Sequence, residues 1–291
     1  MVVVQPPGGT SDILARLAGQ KLTEATGQQV VTENRAGAGG NIGTELVAKA
    51  AADGYTLLTA PGSTLTVNPS MYRKLPFDTL KDLAPITIIA EVPNVLIVHP
   101  SLPVKSVRDL IALAKARPGE LNYASTGAGQ STHLAMELFN TMAGIRIMHI
   151  PYKGGGQALP DLLGGHVSLM FGSVTSAFPH VKTGRVRALA VSTLKRLPVM
   201  PQLPTVAESG LPGFEVTVWY GVLAPAGTPR NIISRVNSIL VAALRSPDMQ
   251  VRLSDQGAQA IGNTPEQFET QLRTDLVKWA KVIKASGATL D

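Results

Sequence analysis

Short apolar runs alternate with helical stripes along most of this chain, and that alternation excludes most folds. Val2-Val3-Val4-Gln5 reads as a strand and Pro6-Pro7-Gly8-Gly9 as a turn. Thr10 or Ser11 then caps a helix whose Ile13, Leu14, Leu17 and Leu22 share a face. A strand over 29–32, a glycine-rich turn at 37–43 with Asn41 as helix cap, a helix over 41–51 and a strand over 55–59 follow. The order strand, loop, helix, strand calls for a largely parallel sheet covered by helices.

The rhythm breaks after residue 85. Strands over 86–89 and 95–98 are separated by Glu91-Val92-Pro93-Asn94. A second α/β series then places helices at 106–115, 131–142, 157–163 and 177–182, with strands at 121–124, 147–150, 167–171 and 187–191. A strand over 214–223 runs into a Pro- and Gly-rich loop at 224–229, whose Pro229 marks a helix start. Two helical regions close the chain, and in the last Phe268, Leu272, Leu276, Trp279 and Val282 predict one buried face. The pattern predicts two α/β lobes: residues 1–94 with 223–291, and 95–222 inserted between them. Two crossing strands would let the lobes hinge about a ligand cleft.

Composition narrows the class of function. With 291 residues and 44% hydrophobic content, the chain can bury about two domain cores. The net charge of +6 comes from scattered Lys and Arg without a basic run, which argues against nucleic acid and leaves an anionic membrane surface or small anions as partners. The absence of cysteine excludes disulfides and thiolate metal sites. No stretch of 18 apolar residues is present, so no membrane span is expected. Met1-Val2-Val3-Val4 already reads as strand, so no leader peptide is visible and the natural start is read as removed.

The stretch 122-NYASTGAGQSTHLAMEL-138 carries the functional question, because a strand passes through glycines into a helix that opens on Ser131, Thr132 and His133. A phosphate loop would need a lysine before the final Ser or Thr, and Gln130 stands there. The dinucleotide fingerprint fails as well, because Ile42 occupies the place of its third glycine. Ser131 and His133 are two apart and diverge on a helix, and the second glycine of a nucleophile elbow is missing. Zinc is excluded because no two histidines share a helical turn.

What remains is an anion cradle. A helix start offers free N–H groups and a positive dipole end, and preceding glycines let a ligand approach the backbone. The device occurs twice, at 6-PPGGTSD-12 and at 125-STGAGQST-132, one in each expected lobe. Charge-assisted hydrogen bonds contribute roughly 1.5–3 kcal/mol each. Four or five of them could support micromolar binding, about −8 kcal/mol, after the cost of association.

These residues, together with 33-ENRAGAGGNIGTELVAKAAADGYTLL-58, 149-HIPYKGGGQALPDLLGGHVSLMF-171, 184-GRVRALAVS-192 and 217-TVWYGVLAPAGTP-229, carry a resemblance. Across essentially its whole length the chain resembles the Bug family, the solute-binding proteins of tripartite tricarboxylate transporters. The resemblance implies a two-lobed periplasmic-binding-protein-like fold of type II, each lobe a mainly parallel sheet flanked by helices. It implies a monomeric, non-enzymatic periplasmic receptor that closes over a carboxylate-bearing metabolite and delivers it to a permease, with no cofactor or metal. A periplasmic sensor feeding a signalling partner is the alternative, and a hydrolase using Ser131 a distant third.

Carried over by position, the first grip is Pro7, Gly8, Gly9, Thr10 and Asp12. The second is Ser125, Thr126, Gly127, Gly129, Ser131, Thr132 and His133. Ser63, Thr64, Tyr152, Trp219 and Tyr220 flank them. Plainer readings stand beside these: Asp12 as a helix cap, His133 as a packed histidine, and Tyr152, Trp219 and Tyr220 as core. The chain departs from the family where many members carry Phe-Asp, since Phe171-Gly172-Ser173 stands here. Glycine cannot pair with an ammonium, so a mono- or dicarboxylate is expected rather than an amino acid, with Gly172 and Ser173 lining the distal pocket.

Overall fold

The computed structural model describes residues 1–255 and 257–286, except the side chains of residues 282, 285 and 286. The strands are β1 (Val2–Val3), β2 (Glu33–Asn34), β3 (Leu58–Pro61), β4 (Leu83–Val98) and β5 (Asn122–Ser125), then β6 (Met148–Pro151), β7 (Leu169–Ser173), β8 (Arg187–Val191), β9 (Thr217–Pro225) and β10 (Gln259–Ala260). The helices are α1 (Thr10–Thr26), α2 (Asn41–Ala48), α3 (Gly62–Thr66), α4 (Asn68–Met71), α5 (Val107–Ala116) and α6 (Ser131–Ala143), then α7 (Gly155–Leu163), α8 (Val174–Lys182), α9 (Arg230–Arg245), α10 (Pro247–Asp255) and α11 (Pro265–Ser286). Two compact units result: Met1–Glu91 with Trp219–Leu253 and the chain from Gln259 on, and Val92–Val218 with Ser254–Ala258.

In the first unit β1 lies parallel between β2 and β3, and β9 runs antiparallel to β3. The second strand falls at Glu33–Asn34 rather than over 29–32. Val30 instead packs beside Gly19 of α1, where an added Cβ would lie 3.1 Å from its Cγ1. Gly40, in the left-handed region, takes the cap position expected for Asn41, whose Oδ1 accepts from Asn68 Nδ2 at 2.7 Å. Around the sheet Val2, Val4, Val47, Leu58, Leu65, Leu83, Ile88, Leu223, Phe268 and Leu272 form one apolar core.

α11 reaches that core over a glycine. A Cβ at Gly221 of β9 would collide with the Phe268 ring, so the helix lies on β9 only because position 221 is bare. The buried stripe of α11 differs from the expected one. Phe268, Leu272, Asp275 and Ile283 are buried while Leu276 and Trp279 are half-buried. The Val282 side chain lies outside the described residues. Asp275 turns inward because it accepts from Trp219 Nε1 at 2.8 Å and Gln271 Nε2 at 3.0 Å, pairing groups that burial would otherwise strand.

The second unit has strand order β4-β7-β5-β6, with β8 also on β4. Its β5 is parallel to β6 and β7, whereas β4 is antiparallel to β7 and β8. Side chains alternate cleanly between two cores. Leu96, Val98, Tyr123, Leu169 and Phe171 pack with Leu110 of α5 and Met136 and Phe139 of α6. Val95, Ile97, Ala124 and Met170 pack on the other face with Leu159 of α7 and Ala177 of α8. The two strands expected on either side of 91–94 are one, because β4 is continuous through Pro93. Its ladder changes partner there, from Gln259 at Glu91 to Ser173 at Asn94, so the missing proline N–H falls between two pairings.

Candidate functional site

Two loops, one in each unit, have the composition and the helix start that an anion needs. In the first unit the chain leaves β1 through Gln5-Pro6-Pro7-Gly8-Gly9 and enters α1 at Thr10. Pro7 and Gly8 are exposed, while Gly9, Thr10, Ser11 and Asp12 are buried. Gly8 has φ +77°, and a Cβ there would meet nothing, so the glycine serves the turn's conformation rather than a close contact.

Asp12 organises this loop. Its Oδ2 accepts from Gly8 N–H at 3.0 Å, Oδ1 accepts from Asn34 Nδ2 at 3.0 Å, and Arg16 Nε reaches both oxygens at 3.1 Å. Asn34 Nδ2 also donates to Gln5 carbonyl oxygen at 2.9 Å, tying β2 to the loop. Burial pushes the Asp12 carboxyl up, but the bonds from Arg16, Gly8 and Asn34 outweigh it and hold the group below its ordinary range. An anionic Asp12 saturated with donors braces the turn.

Thr10 hydrogen-bonds to the Tyr220 side chain. Burial is the main cause pushing the Tyr220 hydroxyl up to about 12, so it stays protonated. Trp219 packs edge-to-face on Phe268 and gives its N–H to Asp275, which fits the core reading. Thr64 donates to Gly39 carbonyl oxygen at 2.9 Å and holds the glycine turn at 37–40. Ser63 is buried beside it in α3.

The second loop shows the same economy. Thr126 N–H donates to Thr132 Oγ1 at 2.8 Å, and the two hydroxyls meet at 2.9 Å. Gly129 N–H donates to His133 Nδ1 at 3.1 Å, and Gly127 N–H to Ser125 Oγ at 3.2 Å. Thr132, His133 and Ser125 therefore shape the loop with their side chains. Ser131, at the first helical position, remains half-exposed with Thr126, Gly127 and Ala128. Gly127 has φ +135°, and a Cβ would come 3.3 Å from Tyr152 carbonyl oxygen. Here the glycine is required by its backbone.

Behind the loop stands a group that sequence reasoning missed. His149 of β6 meets Ser125 Oγ through Nε2 at 2.6 Å and is stacked between Tyr123 (4.9 Å) and His133 (4.2 Å). Burial first, and the neighbouring His133 second, push His149 down to about 4. Burial also lowers His133, against the opposing charge of Glu137. Both rings are neutral at pH 7. Since His133 Nδ1 accepts from Gly129, its proton sits on Nε2. The signal available in the sequence was period two: His149 lies in register with Tyr123, whose hydroxyl donates to Glu137 of α6 at 2.7 Å.

Three remaining positions are engaged within the second unit. A Cβ at Gly172 would face Ile97 Cδ1 at 3.4 Å and Ala177 Cβ at 3.5 Å, so a side chain there would enter the apolar core. Ser173 Oγ caps α8, accepting from Ser176 N–H at 3.3 Å. Tyr152 donates its hydroxyl to Asp161 at 2.6 Å, and burial and that carboxylate push it up to about 12. Among the described residues no cluster of His, Asp and Glu could hold a metal, and no helix is long and apolar enough to cross a membrane.

Comparison with known proteins identifies the family. Residues 14–288 match the profile of the Tripartite tricarboxylate transporter family receptor. Protein BugT of Bordetella pertussis is 41% identical over the whole chain and 89% of its own length. Rpa4515 of R. palustris, solved with adipate, is 42% identical with a TM-score of 0.96, covering 99% of this chain and 97% of that one. The periplasmic binding protein BugD is 34% identical with a TM-score of 0.94 over 99% and 97% of the two chains. MatC of Rhodopseudomonas palustris, solved with malate, is 31% identical with a TM-score of 0.90 over 97% of each chain. Such proteins are solute-binding receptors rather than enzymes. An α/β fold of helix-flanked, mostly parallel sheets and a match spanning nearly all its residues show that this chain belongs to the tripartite tricarboxylate transporter receptor family.

Proposed function

We propose that this protein is a periplasmic receptor for a small mono- or dicarboxylate, and that it delivers its ligand to a tripartite tricarboxylate-type permease. The observation that carries the reading is the pair of glycine-opened helix starts, each braced by its own side chains. Bracing matters because a preorganised set of N–H groups does not lose binding energy to ordering the loop. In this reading the starts of α1 at Thr10 and of α6 at Ser131 face the same carboxylate, and Gly8, Gly9, Thr126 and Gly127, whose own N–H groups are spent inside their loops, line its approach. Asp12, Ser125, Thr132 and His133 hold those groups in place. Binding would draw the two units together.

The ligand class is supported by the relatives, of which one was solved with adipate and one with malate. A thermal-shift panel of mono- and dicarboxylates, with amino acids beside them, tests the reading. A carboxylate that raises the melting temperature and is recovered unchanged supports a receptor. Stabilisation by amino acids alone, or turnover of the compound, overturns it.

A further inference from the structure

Asn94 is 1% exposed, and neither atom of its side-chain amide has a hydrogen-bond partner. Its backbone is fully engaged: its N–H donates to Ser192 Oγ at 2.9 Å and its carbonyl oxygen accepts from Ser192 N–H at 2.8 Å. The neighbouring Ser173, paired with it across β4 and β7, spends its hydroxyl on Ser176. An amide with both a donor and an acceptor left unmade inside a protein is costly, and such a group calls for an explanation.

The register says where this amide points. Leu96 and Val98 of β4 face the core under α5 and α6, while Val95 and Ile97 face the opposite one. By the period of two, Asn94 projects on the α6 side. Ser125 of β5 ends its strand level with Phe171 and Leu96, so Asn94 stands one pleat further on, at the end where α6 begins. Neighbouring strands are about 4.8 Å apart and two residues span about 6.6 Å along a strand, which puts the Asn94 backbone, two strands over and one pleat on, roughly 12 Å from that of Ser125. Side chains reaching in from both ends narrow that to the span of a small ligand held at the start of α6.

We infer that Asn94 is a specificity residue of the carboxylate site, and that its amide reads a hydroxyl on the ligand's chain. This rests on the carboxylate-receptor reading above. A second carboxylate would only accept, leaving Asn94 Oδ1 unpaired. A hydroxyl both accepts from Nδ2–H and donates to Oδ1, satisfying both atoms at once. The ligand class this selects is the hydroxycarboxylates over their unsubstituted counterparts.

The test uses matched probes, lactate against propionate, malate against succinate and 2-hydroxyglutarate against glutarate, titrated by calorimetry into the full chain. For the pair of fitting length, the hydroxylated member is expected to bind about tenfold tighter or better. Asn94→Leu should erase that preference, weakening the hydroxylated member about tenfold more than its unsubstituted partner. Equal affinity within every pair, or a preference that survives Asn94→Leu, overturns the assignment of Asn94 and leaves the receptor reading standing. Binding of no probe overturns both. Should Asn94→Leu fail to fold, the side-chain amide resonance of Asn94 in the unsubstituted protein decides. It should shift with the hydroxylated probe and not with its partner, and a shift common to both counts against the proposal.

Discussion

At the scale of single residues, polar side chains near the two helix starts divide into those that meet solvent and those that hold the loop. Asp12 belongs to the second kind, with bonds from Gly8, Asn34 and Arg16. Replacing it by alanine removes the brace that ties Gly8, Asn34 and Arg16 together, and should cost about 1–3 kcal/mol of stability in denaturant titration. Because its folded pKa is depressed, Asp12 contributes stability above its unfolded value that is lost as pH falls through the folded one. The variant should therefore show a shallower loss of stability below about pH 4. An identical acid limb would separate Asp12 from the loop's stability. His149 has the same sign in a different window. Its pKa is depressed to about 4, so the unfolded chain takes up a proton first and stability is lost as pH falls between about 6.5 and that value. His149→Phe keeps the ring stack and removes the titration, so its melting temperature should vary less across that window. A slope equal to that of the unsubstituted protein would show that other groups set it.

At the scale of elements, the largest gain of the structure over the sequence is α11. Its apolar repeat was legible, but the choice between Leu276 and Asp275 for the buried face was not. That choice is made by an indole N–H arriving from β9, 56 positions away in the chain. The same holds for the loops. The glycine, serine and threonine before α1 and α6 announce helix starts, because those residues have few other reasons to precede an apolar stripe. Which hydroxyls remain for a ligand depends on partners such as Asn34 and His149, which only sheet register brings near. Gly221 makes the point testable. Gly221→Ala should press a methyl into the Phe268 ring and destabilise the protein by about 1–3 kcal/mol. Adding Phe268→Leu should recover part of the loss, a coupling that a double-mutant cycle in denaturant would read. Strict additivity would mean that α11 does not meet β9 at this point.

At the scale of the whole molecule, the proposal that both units hold one ligand has a consequence that neither loop alone would produce. A ligand bound to the first unit only would stabilise α1 and leave α6 unaffected, since protection from exchange follows the unit whose opening the ligand opposes. A ligand held by both must slow hydrogen exchange at both helix starts, Thr10–Ile13 and Ser131–Leu134, by the same factor as its concentration rises. At a hundredfold excess over Kd the linkage amounts to about 2.7 kcal/mol, or roughly a hundredfold in exchange rate for amides that open globally. Mass-spectrometric exchange with the best carboxylate of the panel would read both segments in one experiment. Protection confined to one of them would assign the ligand to that unit alone and remove closure from the mechanism. Equal protection in both would leave β4 and β9, the strands that pass between the units, as the place where the hinge must bend. Pro93, buried within β4 between its two ladders, is then the position where a substitution should change the rate of binding more than its strength.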